Sequence, residues 1–311
     1  MTYSVSVLLS VTDQATYLDE FMATLAGQQG VDVRVAVRTD RAEASSAVKD
    51  VFRRFEPYVH EEGPALGLPH TYLRLIGTAP LDSDFYAFAD QDDLWDPDKL
   101  KIACQSLLEL GIGSPALWIC GYTPFGAERS KTSRTDGDVS LLEPSFAHAL
   151  VENIAPGCTM VWNKPLQEIV ASRLPTSGVL MHDFWVYLVA AAMGKILVEP
   201  RNLVNYRIHD GNAIGIRRSM VDRSRRFVRM IRTGSPTLET QAAAFLDQFG
   251  DLLRPEDHDL CRVMAFGRST TRARYALTGK FRRARLIDQL LLTARLMYPA
   301  RRIHGSRPAR S

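Results

Sequence analysis

Residues 3–40 read YSVSVLLSVTDQATYLDEFMATLAGQQGVDVRVAVRTD, and this stretch decides the fold. Tyr3 to Val11 is β-branched and apolar and reads as a strand. Asp13 follows in N-cap position before Tyr17, Leu18, Phe21, Met22 and Leu25, which fall at helical spacing. Gly30 stops that helix, and Val31 to Val37 alternates strictly until Thr39 and Asp40. The opening is therefore a βαβ unit with parallel strands. Helical patterns at about Ala42 to Phe55 and Leu68 to Ile76, then an apolar strand at Phe85 to Ala89, continue the alternation. The predicted fold class is α/β, a Rossmann-like, doubly wound and mostly parallel central sheet. Such sheets bind ligands beyond the carboxyl ends of their strands, which sets Thr12, Asp40 and Asp90 on one predicted rim.

Further along, Ala116 to Cys120 and Cys158 to Trp162 read as strands, separated by the polar loop GAERSKTSRTDGD at 126–138. A helix follows from Asp183 to Met193, ended by Gly194, then short strands at Ile196 to Val198 and Leu203 to Ile208. Beyond Asn212 the pattern is helical and rich in arginine. Residues 213–311 hold 21 Lys+Arg against 8 Asp+Glu, whereas residues 1–212 hold 17 against 27. The chain thus divides into an acidic domain, 1–212, suited to recruiting cations, and a basic helical region, 213–311. Ordinary proportions of 46% hydrophobic and 23% charged residues exclude disorder, collagen and coiled coil. The longest apolar run, Phe184 to Met193, is about half a membrane span, and the N-terminus opens as strand without a basic leader. Four cysteines, at 104, 120, 158 and 261, form no CxxC pair, so the expected location is cytoplasmic.

Chemistry concentrates in FYAFADQDDLWDPDKL, residues 85–100. Asp96 before Pro97 reads as an N-cap, and Asp98 complements the helix dipole. Capping does not account for Asp90, Asp92 and Asp93. Like charges so close repel unless a cation lies between them, so a divalent metal, Mg²⁺ or Mn²⁺, is the economical reading, with solvation at a loop as the bland one. No glycine-rich GxGxxG or GxxxxGK[ST] loop is present, which counts against dinucleotide oxidoreductases and P-loop kinases.

Six segments in order resemble the family-two glycosyltransferases of the GT-A fold, most closely their rhamnosyltransferase-type members. They are SVSVLLSVTDQATYLDE, AVRTD, FADQDDLWDPDKL, NIAPGCTMVWNKPL, MHDFWVYLVAAAMG and VNYRIHDGNAIG, and they span roughly residues 4–216. The resemblance implies an inverting, metal-dependent transfer of a sugar from a nucleoside-diphosphate donor, dTDP- or UDP-linked, to a glycan or lipid-linked acceptor hydroxyl. It implies that Asp183 is the general base and that Thr12, Asp40 and Asp90 hold the nucleotide. It further implies that Asp92 binds the metal, that Trp185 shapes the sugar pocket, and that His209 touches metal or diphosphate. Gly157, Cys158 and Thr159 would lie on the acceptor side. Two departures stand out: Arg38-Thr39-Asp40-Arg41 replaces a paired acidic motif followed by Gly-Ser, and Ala65 precedes Leu66-Gly67 where relatives often carry Asn.

The residues alone leave alternatives open. Asp40 can be a turn former, Asp183 an N-cap, His209 an ordinary loop histidine and Gly157 a tight turn. A sugar nucleotidyltransferase would share the sheet and carboxylates, but its glycine-rich basic signature is absent after the first strand. A non-catalytic scaffold working through the basic region would tolerate loss of Asp183. In that region Arg217 to Ile231 reads as a basic amphipathic helix, suited either to the inner face of an anionic membrane or to packing on the domain. Nucleic acid is not expected, because no recognition motif accompanies the charge.

Overall fold

The computed structural model describes residues 2–12, 16–111, 113–126, 144–209 and 236–297. Strand β1 (Tyr3–Val11), helix α1 (Leu18–Ala26) and strand β2 (Val31–Thr39) form the expected βαβ unit. They are followed by α2 (Ser46–Phe55), β3 (Val59–Glu62), α3 (Leu68–Thr78), β4 (Phe85–Asp90), β5 (Leu94–Trp95) and α4 (Lys99–Glu109). Next come β6 (Ala116–Gly126), α5 (Phe146–Ala149), a 3-10 turn at Gly157–Thr159, β7 (Met160–Asn163), α6 (Lys164–Ser172), α7 (His182–Met193) and β8 (Lys195–Ile208). Four helices close the described chain: α8 (Leu238–Phe249), α9 (Pro255–Phe266), α10 (Ser269–Leu277) and α11 (Leu286–Met297).

The eight strands form one sheet in the order β3-β2-β1-β4-β7-β6-β8-β5. β3, β2, β1 and β4 are parallel, as are β6 and β8, whereas β7 runs antiparallel to both its neighbours and β5 antiparallel to β8. Side chains alternate across the sheet into two cores. Val5, Val7, Leu9, Phe85, Ala87 and Ala89 enter one, with α1, α2 and α4. Leu8, Tyr86 and Phe88 enter the other, with α3, α6 and α7. The C-terminal helices join this second core: Phe245 and Phe249 of α8 pack against Trp185 of α7, and Cys261, Ala276, Phe281 and Leu296 continue it. The basic region and the sheet therefore share a hydrophobic core, while the cut at 212/213 falls outside the described residues.

Several boundaries move for local reasons. Helix α2 starts at Ser46 rather than near Ala42, because the Ser45 side chain accepts from Val48 N and caps it there. Asp96 does not cap α4. Its carboxylate accepts from Asp98 N at 3.0 Å in the turn before the helix, which begins at Lys99 with Asp98 as N-cap. The expected pair of strands at 196–198 and 203–208 is one fourteen-residue strand, β8, whose pairing with β6 shifts register around Gly121. Asp13 and most of the 126–138 loop lie outside the described residues, as does Arg217 to Ile231.

Candidate active site at the carboxyl edge of the sheet

Because Ser10 pairs with both Arg38 and Asp90, the ends of β1, β2 and β4 align, and Thr12, Asp40 and Asp90 lie along one edge. Thr12 is fixed by Gln91, whose amide oxygen accepts from Thr12 N at 2.9 Å and whose amide NH₂ donates to Thr12 Oγ1 at 2.8 Å. Asp40 is a brace. Its Oδ1 accepts from buried Arg38 Nε at 3.0 Å, and its Oδ2 accepts from Leu66 N at 3.2 Å and Thr71 Oγ1 at 2.5 Å. Arg38 in turn reaches Glu61 and the carbonyl of Pro64, so the residues that depart from the family pattern lock β2 to the 61–71 segment.

Asp90 is half-buried at the end of β4, 3.0 Å from the hydroxyl of buried Tyr72. Burial raises its pKa to about 7, and the neighbouring charges of Asp92 and Asp183 add to the rise, against the hydrogen bond from Tyr72 and the charge of Lys99. Asp92 Oδ2 meets His209 Nε2 at 2.5 Å, which joins two of the expected ligand residues. Arg207 holds the loop between them: its backbone N–H donates to Asp93 Oδ1 at 3.0 Å and its Nε–H to the Asp92 carbonyl at 2.8 Å. The Arg207 guanidinium is sandwiched over Tyr17 and Phe125, 4.3 and 4.5 Å from the ring centroids.

Asp93 turns inward and is fully buried, its pKa raised well above the ordinary value by burial and then by Asp90 and Asp92. Beneath the carboxylates lies Lys99, also fully buried, with Nζ 2.7 Å from the Cys158 carbonyl and 3.1 Å from the centroid of Trp95. Burial lowers its pKa to about 8, against the attraction of Cys120, Cys158, Asp93 and Asp90. Sequence reasoning missed Tyr72, Lys99 and Arg207.

Asp183 is not the N-cap of α7. That position belongs to Met181, and Asp183 sits inside the first turn. Its Oδ1 accepts from Phe184 N at 2.6 Å and its Oδ2 from Gly157 N at 3.2 Å, while burial, against these bonds, raises its pKa to about 6. Gly157 is held where a Cβ would fall 3.1 Å from His182 Nε2 and 3.6 Å from Asp183 Cβ. His182 stacks on Tyr72 with centroids 3.8 Å apart, and burial lowers its pKa to about 3, so it is a neutral part of the floor. Cys158 and Thr159 are buried, with Thr159 Oγ1 donating to Pro156 O at 2.7 Å. Lys99 gives Cys158 a cationic neighbour that the sequence did not suggest, yet burial keeps the thiol pKa well above its ordinary value. Trp185 differs from expectation. It is fully buried, with its ring 5.5 Å from Phe245 and 6.2 Å from Phe249, so it supports α7 from the core and does not wall an open pocket.

Two groupings could hold a cation. Asp90, Asp93 and Cys158 offer ligand atoms within 4.8 Å of one another. Asp93 and Cys158 are sealed and both favour their protonated forms, which suits a hydrogen-bonded floor better than a hard cation. Asp92 and His209, beside Asp90, present carboxylate and imidazole nearer the surface and fit Mg²⁺ or Mn²⁺ better.

No family model matches the chain. The dTDP-rhamnosyl transferase RfbG of Shigella flexneri is 22% identical over 211 residues, covering 64% of this chain and 71% of that protein. Among solved structures, S. aureus TarS 1–349 in complex with UDP-GlcNAc covers 93% of this chain and 78% of its own, with 16% identity and a TM-score of 0.54. The mannosyltransferase PcManGT from Pyrobaculum calidifontis, in complex with GDP-Man and Mn²⁺, covers 96% and 86%, at 16% identity and a TM-score of 0.50. The chain has the fold of these GT-A glycosyltransferases and is similar in sequence to a rhamnosyltransferase. Thr12, Asp40 and Asp90 lie along this carboxyl edge, and the charge of Asp183, in α7, acts on Asp90 there.

Proposed function

We propose that this GT-A enzyme transfers a sugar with inversion from a dTDP- or UDP-linked donor, rhamnose-type or hexose, to a hydroxyl of a glycan or lipid-linked acceptor in surface polysaccharide synthesis. The observation that carries this reading is Asp183: a carboxylate with a pKa near 6, oriented by two backbone N–H groups, close enough to raise the pKa of Asp90 at the nucleotide edge. A base with that pKa is ionised at neutral pH and still accepts a proton usefully. Asp183 takes the proton of the acceptor hydroxyl as its oxygen bonds to the anomeric carbon. The bond from that carbon to the diphosphate breaks on the opposite side, and the electron pair leaves with the nucleoside diphosphate. Thr12, Asp40 and Asp90 orient the nucleotide, while Gly157, through its N–H, sets the base. Asp92 and His209 would hold the divalent cation, which when bound supplies positive charge to the leaving diphosphate. The buried free thiols Cys104, Cys120, Cys158 and Cys261 accord with a cytoplasmic location. Among the described residues, no helix is long and apolar enough to cross a membrane.

Asp183→Asn tests the proposal. Transfer should fall by at least ~10²-fold while donor binding and the unfolding transition persist. In the wild type, transfer should decline as pH drops through about 6, where Asp183 gains its proton. Stability runs the other way. The folded pKa lies above 3.8, so the stability from neutral Asp183 is full below about pH 4 and lost as pH rises through about 6. Near-normal turnover in Asp183→Asn would place the base elsewhere and reopen the scaffold reading.

A further inference from the structure

Helix α11, Leu286–Met297, is apolar on its outward face as well as on its buried one. Its buried face takes Asp288, Leu292, Thr293 and Leu296, and Arg295 reaches inward to Glu239 with 2.7 and 2.5 Å contacts. Its outward face carries Leu286, Ile287, Leu290, Leu291 and Met297, exposed by 77, 41, 58, 42 and 56%. Positions 286 and 290, and 287 and 291, are four apart and share one stripe, and Ala294 continues it. Single exposed leucines are ordinary, but a helix about three turns long with an unbroken apolar outer stripe is an interaction surface.

The surrounding charge identifies what covers it. From Arg268 to Ser311 the chain has twelve Lys+Arg and a single acidic residue, Asp288, which is buried. Arg268, Arg274, Lys280 and Arg282 are exposed ahead of the stripe. Beyond Met297 the sequence continues for fourteen residues with four arginines and no acid. A second copy of this chain, paired face to face, would set basic margin against basic margin. An anionic bilayer answers both features, with an apolar acyl boundary for the leucines and phosphates for the exposed Lys and Arg ahead of them.

We propose that α11 lies in the plane of an anionic membrane surface, with the Leu286–Met297 stripe in the interface and the flanking basic residues on lipid phosphates. This is a different element from the Arg217 to Ile231 segment that the sequence pattern suggested. It does not depend on the transferase reading, so the two can fail separately.

The test is sedimentation of the full chain with phosphatidylglycerol/phosphatidylcholine vesicles and with phosphatidylcholine alone, at low and high salt. The wild type should bind the anionic vesicles in a salt-sensitive way. Replacing Leu286, Leu290 and Leu291 together by Gln should weaken binding at least ~10-fold, with the monomer mass and unfolding transition unchanged. If that triple variant unfolds differently, Lys280→Gln with Arg282→Gln decides instead, and should reduce binding to anionic vesicles. Wild-type binding by both variants, absence of binding to phosphatidylglycerol, or a dimer that the triple variant dissociates would each overturn the proposal.

Discussion

Among the C-terminal helices, Glu239 is 1% exposed, and burial alone would push its pKa up. The hydrogen bonds and charge of Arg295, with Arg272 beside it, reverse that, and the net shift is downward. Glu152 behaves alike, held below its ordinary value against burial by His148, Ala284 N and Arg283. At the rim of the sheet the balance is the opposite. Burial raises Asp90 to about 7 and Asp183 to about 6, and holds Asp93 well above its ordinary value, while Lys99 only partly answers them. A region that serves as scaffold buries its charges in pairs. The rim gathers carboxylates without full compensation, so burial shifts them toward their neutral forms, as in a site whose counter-charge is supplied by an arriving cation.

The sharpest way to break this contrast is Glu239→Gln. Buried Arg272 and part-buried Arg295 would lose their counter-charge, and stability should fall by about 3–5 kcal/mol in denaturant unfolding. A loss under ~1 kcal/mol, the range of an exposed pair, would erase the contrast. Asp90→Asn should act with the opposite sign. The raised pKa means that the stability contribution of Asp90 is full below its ordinary 3.8 and lost as pH rises through about 7. Asn removes that loss, so the variant should gain about 1–2 kcal/mol at pH 8, discounted for partial exposure, and nothing at pH 4. Destabilisation at pH 8 would mean that Asp90 is compensated after all. Gly157→Ala is the mildest change. Its Cβ would press on His182 Nε2 at 3.1 Å, costing about 1 kcal/mol of stability, with transfer slowed roughly ten-fold as Asp183 shifts. Equal turnover in wild type and variant would show that the 157–183 contact does not set the base.

Much of the rim was legible because strand periodicity is strong in β1, β2 and β4 and a carboxyl edge follows from parallel topology. The meeting of Asp92 with His209 is a long-range event that only the resemblance suggested. Tyr72 was hidden because in an apolar helical stripe its hydroxyl looks like a tip near the surface, yet it reaches the Ala89 carbonyl at 2.6 Å. Lys99 follows Asp98 at a helix start, where a lysine ordinarily faces water, and its burial over Trp95 depends on the fold closing around it. Trp185 misled for the converse reason. Its position one step from Asp183 says nothing about which side of α7 meets α8. Periodicity shows that a helix has an apolar face, not what that face packs against, so the core shared by the basic region and the sheet was invisible too.

The central claim is that the rim's uncompensated carboxylates await a metal-bound diphosphate. Calorimetric titration of nucleoside diphosphate into the wild type and Asp92→Ala, with Mn²⁺ and with EDTA, tests it directly. Wild type should bind at least ~10-fold more tightly with Mn²⁺, and Asp92→Ala should lose that gain while keeping its unfolding transition. Equal affinity with and without the cation, or an undiminished gain in Asp92→Ala, would contradict it.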